Sequence, residues 1–189
     1  MYPSLARPAV RVGGAATPER NMVLESSKPA QEPAKLKLDR HFPPCRAEPG
    51  DELYPTGIFE FNVTRLLAFI GAHAERFLIR LVELLDIPDY GGSERLEETA
   101  IGAADLSRPV VLAEIAPGRY NQIDGHHHVA KARREGVRSV AAHRVRCPEH
   151  VAFLTSAQAY ETYVEYWNSK LDEASSAPTV RGRRRSARR

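Results

Sequence analysis

The spacing between hydrophobic residues changes twice along the first half of the chain. Residues 57–62 are predicted to form a short strand, because apolar and polar side chains alternate from Phe59 to Asn62. Apolar residues then recur every three or four positions from residue 67 to residue 85, which predicts one amphipathic helix, bent near Gly71 and ended before Pro88. Residues 89–108 have no clear period, and we expect a loop there with one helical turn.

The second half alternates strand and helix patterns more regularly. Pro117-Gly118 separates two strand-like runs and predicts a hairpin, while Gly136 has the position of a left-handed helix cap. The predicted elements are strands at 110–115, 119–123 and 139–145 and helices at 126–136 and 157–171. The aromatic stripe of the last helix is expected in the core. Together these elements predict an α+β domain over residues 51–172, with a small mixed sheet and packed helices.

Composition sets the N-terminal segment apart from this domain. Residues 1–50 hold eight of the fourteen prolines and show no apolar period, which predicts a disordered or extended segment. No apolar run reaches the roughly 20 residues that span a bilayer, and no secretory signal is recognisable. The two cysteines, Cys45 and Cys147, are too few for a disulfide framework or an all-cysteine zinc site. We therefore expect a cytoplasmic protein with no membrane partner.

Residues 173–189 are predicted to form a disordered tail that carries the basic charge of the protein. The formal net charge of +3 includes six arginines in the last nine residues, and removing those six leaves −3. Such a tail can bind the phosphate backbone of a nucleic acid without reading its sequence, or it can simply be solvated. The six arginines are Arg181, Arg183, Arg184, Arg185, Arg188 and Arg189.

The residue types that carry chemistry are concentrated where the predicted hairpin meets the helix after it. This corner has the sequence Asp124-Gly125-His126-His127-His128. A helix start has unpaired N–H groups and the positive end of a dipole, which favour phosphate or carboxylate, and Gly125 has no Cβ to hold a ligand away. A neutral imidazole at this place can accept a proton. We predict Gly125, His126 and His128 as ligand-binding residues, and His127 and Asp124 as catalytic ones.

Other interpretations of the polar residues stay open at this point. Asp124 can serve only as the helix cap. Three adjacent histidines, spread by about 100° each, cannot all face one ligand, so no metal site is predicted. Glu60 and Asn62 lie on the polar face of the first predicted strand. They can approach the corner as ligand-binding residues, or they can form a solvated strand face and a helix cap.

Residues 123–136, IDGHHHVAKARREG, resemble the motif of the ParB/sulfiredoxin superfamily, which runs roughly I-D-G-x-H-R before a helix and a glycine. The resemblance covers about residues 55–150 and implies that fold, with residues 124–128 lining a site for nucleotide phosphates or nucleic acid. His126 stands where sulfiredoxin has its catalytic cysteine, and His128 stands where the family has arginine. Sulfinic-acid reduction is therefore not expected. The Glu-Arg-Arg motif of partitioning proteins and a downstream helix-turn-helix are absent, so a partitioning role does not follow.

Three functional hypotheses follow from these observations. In the first, a ParB-like domain binds a phosphate-bearing ligand at the corner, either a nucleotide with a divalent cation or a nucleic acid, and any catalysis is that of a nucleotide hydrolase or nuclease. In the second, a non-catalytic module binds DNA or RNA through the basic tail. In the third, the domain binds a protein partner and has lost its chemistry. An open pocket beside Asp124 and His127 would favour the first.

Overall fold

In the computed structural model of this protein, the structure describes residues 32–55, 57, 59–88 and 96–176. Four α-helices and six strands lie within these ranges, together with short 3-10 turns. In chain order they are β1 Leu53–Pro55, β2 Glu60–Asn62, α1 Val63–Ala72, β3 Ile79–Glu83, α2 Glu98–Ala103, β4 Val110–Ala116, β5 Arg119–Asp124, α3 His126–Arg134, β6 Ser139–Val145 and α4 Ala157–Ser176. Among the described helices, none is long and apolar enough to cross a membrane.

The described strands form a four-stranded sheet in the order β3-β6-β4-β5 and a separate antiparallel pair, β1 and β2. Strands β4 and β6 run parallel, whereas β3 pairs antiparallel with β6 and β5 pairs antiparallel with β4. The protein is therefore an α+β protein with small sheets and packed helices, as its sequence pattern predicts. The predicted hairpin of β4 and β5 and the third strand of the second half, β6, are confirmed.

Strand β4 has a core on each of its two faces. Val111 and Ala113 belong to a cluster with residues of α1 and α4, and Val110 and Leu112 belong to a second cluster with residues of α3. This double burial explains why the sequence of β4 is a continuous apolar run rather than an alternating one. It also packs α3, and with it the corner between β5 and α3, against an inner strand of the sheet.

The long helix predicted over residues 67–85 is wrong. Helix α1 begins earlier, because the side chain of Asn62 caps it by accepting a hydrogen bond from the backbone N–H of Arg65 at 3.0 Å. It ends at Ala72, and residues 79–83 form the edge strand β3 instead. Apolar residues at three- and four-residue steps fit a helix locally. Pairing of β3 with β6, more than 50 residues away along the chain, overrides that local preference.

The structure describes residues 32–50 of the segment predicted to be disordered or extended, and residues of this stretch pack on helix α4. The indole N–H of Trp167 donates to the carbonyl oxygen of Ala34 at 3.0 Å, and the ring of Phe42 stacks on Tyr160 with centroids 3.9 Å apart. Prolines prevent regular structure in this segment, but they leave an extended chain that can lie along the aromatic stripe of α4. That stripe is buried as predicted. Residues 1–31 and 177–189 lie outside the described residues.

Candidate functional site

Gly125 forms the corner between β5 and α3. This residue precedes the helix with φ +84°, in the left-handed region that glycine adopts without strain. A Cβ added to it would lie 2.6 Å from Cγ1 of Val110 and 3.2 Å from its Cα. The sequence predicts that the missing Cβ makes room for a ligand. The structure corrects this, because the space is taken up by strand β4.

The five residues Asp124–His128 all line one cavity, of about 640 Å³. Other parts of the described chain complete its wall: Glu52 before β1 and Tyr54 in it, Leu67 and Ile70 on α1, Arg108 before β4 and His143 on β6. The predicted corner is thus brought to a pocket of the size that binds small molecules. Its lining combines apolar side chains with charged and imidazole groups.

The start of α3 carries no side-chain cap. Gly125 occupies the cap position, and its carbonyl oxygen accepts the first intrahelical bond from the N–H of Val129 at 3.1 Å. The interpretation of Asp124 as the helix cap is therefore wrong. Within the described residues its carboxylate makes no hydrogen bond or ion pair. The N–H groups of the first turn are left with the partial positive charge that attracts anions at helix starts.

The three histidines of the corner have different surroundings. His126 stacks on the ring of Tyr54 with centroids 4.8 Å apart, and burial lowers its pKa, although nearby Asp124 opposes that shift. This favours a neutral imidazole at His126. Nδ1 of His128 is buried and has no hydrogen-bond partner among the described residues. His127 lines the cavity and makes no hydrogen bond to the described residues.

Arg108 is a cation of this site that the sequence pattern does not predict. It is exposed at the cavity and forms no ion pair within the described residues. Hydrogen bonds to Asp105 hold the turn before it: the N–H and hydroxyl of Ser107 both donate to its carboxylate, and the N–H of Arg108 donates to its carbonyl at 3.1 Å. The only sign of Arg108 in the sequence is its position just before the apolar run that forms β4. The weak pattern of residues 89–108 concealed it.

Lys131 connects α3 to the segment that precedes Arg108. Its ammonium group donates to the carbonyl oxygens of Gly102 at 3.0 Å and Ala104 at 2.8 Å, at the end of α2. These bonds satisfy carbonyls that a helix end leaves unpaired. Because Lys131 lies on α3, the helix that begins at the corner also holds the segment that leads to Arg108.

Two carboxylates lie on the cavity, those of Asp124 and Glu52. Glu52 was also missed, since it lies in a short strand-like segment without a recognisable motif. Its carboxylate makes no hydrogen bond or ion pair within the described residues. In the part of the chain that the structure describes, no group of three or more His, Cys, Asp or Glu side chains lies close enough to hold a metal ion.

Glu60 and Asn62 are not brought to this cavity. Glu60 accepts a hydrogen bond from the hydroxyl of Thr155 at 2.8 Å and lines a second, more open cavity of about 760 Å³. Asn62 is fully buried, caps α1, and donates from its side chain to Asp51 at 2.7 Å. Asn62 is therefore a helix cap, which was the alternative interpretation. The structure corrects the prediction that Glu60 and Asn62 approach the corner, because neither residue lines the cavity. The arginines of the tail lie outside the described residues.

No protein-family model, no curated protein and no solved structure matches this chain.

Proposed function

We propose that this protein binds a phosphate-bearing ligand, a nucleotide or the end of a nucleic acid, in the cavity at the Asp124–His128 corner. The observation that supports the proposal is that Arg108 and the uncapped start of α3 line the same cavity. A guanidinium and a set of helix N–H groups are two groups that proteins use to bind phosphate. The resemblance of residues 123–136 to the ParB/sulfiredoxin motif agrees with such a ligand, and a fold of that kind is part of the proposal.

The carboxylates of Asp124 and Glu52 make a bare phosphate a poor guest, because like charges would meet in the cavity. A divalent cation carried by the ligand removes this conflict. Magnesium is commonly held by one or two carboxylates together with the substrate's phosphates, rather than by a complete set of protein ligands. We therefore infer a nucleotide with its divalent cation, whose apolar part lies against Leu67 and Ile70.

The chemistry that suits these groups is hydrolysis or phosphoryl transfer. His127 is the acid–base group in this proposal, and Asp124 positions the cation or the attacking water. Neither cysteine, Cys45 or Cys147, lines the cavity. Burial raises the pKa of the Cys147 thiol to about 11, which leaves it without thiolate character at neutral pH. A reaction that uses a cysteine nucleophile is therefore not part of the proposal.

Calorimetric titration of the full chain with nucleoside mono-, di- and triphosphates, with and without magnesium, tests the proposal. We expect Arg108→Gln to weaken binding about 10- to 100-fold, since a charge-assisted hydrogen bond contributes about 1.5–3 kcal/mol. Arg119→Gln is the matched control, because Arg119 begins β5 at the end opposite to Asp124. It should bind as the wild type does. His127→Ala should reduce turnover more than affinity.

The proposal fails for nucleotides if the folded wild type binds none of them in either condition. It fails for this cavity if Arg108→Gln and Arg119→Gln bind equally well.

The second candidate function is sequence-independent binding of DNA or RNA by the tail. It is favoured by six arginines within the last nine residues. Deletion of residues 181–189 should abolish that binding and its steep salt dependence, while leaving nucleotide binding in the cavity unchanged. Binding of nucleic acid that survives the deletion would refute this candidate.

A further inference from the structure

Strand β3 carries large apolar side chains on its outer surface. Leu81 is 77% exposed and Ile79 58%, and just beyond the strand ends Leu78 is 49% and Leu85 97% exposed. The exposed fractions of these four residues add up to nearly three fully exposed aliphatic side chains in one short stretch of chain. A patch of this kind on the edge of a sheet is a surface that natural proteins usually protect.

The backbone of β3 is also unpaired on one side. β3 is the end strand of the four-stranded sheet, and its other edge pairs with no strand of the described residues. The N–H of Leu84 donates to the carbonyl of Arg138, the residue before β6, at 2.9 Å. Because backbone groups alternate in direction along a strand, those of residues 79, 81 and 83 point away from β6. The strand contains neither proline nor glycine, and no bulge interrupts its pairing with β6.

We propose that two copies of this chain join β3 to β3, antiparallel about a twofold axis at Leu81, to form one continuous eight-stranded sheet. In this register Leu81 faces its own copy, and Ile79 faces Glu83 of the second chain. All three outward-pointing residues of each strand then form hydrogen-bonded pairs. Ile79 and Leu81 lie on the same face of the sheet, so the four aliphatic side chains of the two copies meet at the axis.

The self-complementarity of the strand favours a second copy over a foreign peptide. An axis at Leu81 uses every free backbone group of residues 79–83, and Glu83, held by Arg138 at 2.9 Å, stays at the polar rim. The interface is small, below the roughly 1,200 Å² of standard complexes. We therefore expect a reversible dimer whose population depends on concentration.

Sedimentation velocity of the full chain over a concentration series tests the proposal. The wild type should show a reversible monomer–dimer equilibrium. Leu81→Lys should weaken dimerisation roughly tenfold or more, because it places two like charges at the axis. Leu81→Pro should do the same, since it removes an N–H that points away from β6 and leaves the β3–β6 hydrogen bonds in place. Circular dichroism checks that both variants stay folded.

Leu38→Lys is the matched control, because Leu38 is 47% exposed and lies outside β3. It should dimerise as the wild type does. A wild type that stays monomeric at every concentration overturns the proposal. So does a dimer that folded Leu81→Lys and Leu81→Pro leave intact, since the contact must then lie elsewhere.

Discussion

Replacing Gly125 by alanine should destabilise the protein more than the same change at any other glycine with a positive φ in the described residues. Two separate costs arise. A residue with a Cβ at φ +84° pays about 1–2 kcal/mol for the left-handed conformation. The new methyl group would also lie 2.6 Å from Cγ1 and 3.0 Å from Cβ of Val110.

The second cost arises from contact with Val110. Val110 is fully buried in β4, so neither its side chain nor its backbone can move away freely. Overpacking of this kind costs about 1–3 kcal/mol. The two costs together predict a loss of about 2–5 kcal/mol in the free energy of unfolding, a large share of the stability of a domain of this size.

Urea denaturation measures this loss, and two other glycines separate its parts. Gly118 has φ +70° with nothing within 4 Å of an added Cβ, so Gly118→Ala should lower the free energy of unfolding by the conformational cost alone. Gly71 lies in α1 without a positive φ and with open space around it, so Gly71→Ala should stabilise by about 0.5 kcal/mol. In a Val110→Ala background, the cost of Gly125→Ala should fall by about 1 kcal/mol or more. Equal losses for Gly125→Ala and Gly118→Ala would refute the close approach to β4.

Two further predictions concern the rest of the core. Burial lowers the pKa of His150 to about 4 from its ordinary 6.5, so the unfolded chain takes up a proton first as the pH falls. Stability should therefore decrease between about pH 6.5 and pH 4, by up to about 3 kcal/mol, and His150→Gln should flatten that slope in urea denaturation. Asn168 exchanges two hydrogen bonds with the backbone of Leu36, at 2.8 and 2.9 Å. Asn168→Ala should cost about 1–3 kcal/mol and speed proteolysis of residues 33–45, and an unchanged cleavage rate would contradict that role.

Elements whose signals lie within a few residues could be predicted from the sequence. The hairpin of β4 and β5 follows from a turn dipeptide between two strand patterns. The end of α3 follows from Gly136, which has φ +67°. The N–H of Val137 after it donates to the carbonyl of Ala132 at 2.9 Å, the bond that closes a helix before a left-handed glycine. Each of these features depends only on local backbone geometry.

Features that depend on distant parts of the chain could not be predicted in this way. Residues 79–83 have a spacing that fits a helix, and only pairing with β6 makes them a strand. The segment around Leu36 has no pattern of its own, because its partners lie on α4. Arg108 and Glu52 reach the cavity through the packing of loops that carry no motif. The location of the candidate site was therefore predictable, but two of its three charged side chains, Arg108 and Glu52, were not.

Gly125 and Asp124 explain why residue types predict the place of a site better than its chemistry. A glycine is required at position 125 whether its free side faces a ligand or a neighbouring strand, and the sequence is the same in both cases. Only the direction of the absent Cβ, toward Val110, separates the two. The sequence is equally compatible with Asp124 as a helix cap and with Asp124 as a free carboxylate. Because Gly125 occupies the cap position, the carboxylate stays available to the cavity. The same glycine that serves the core thus leaves the acidic group free for a ligand.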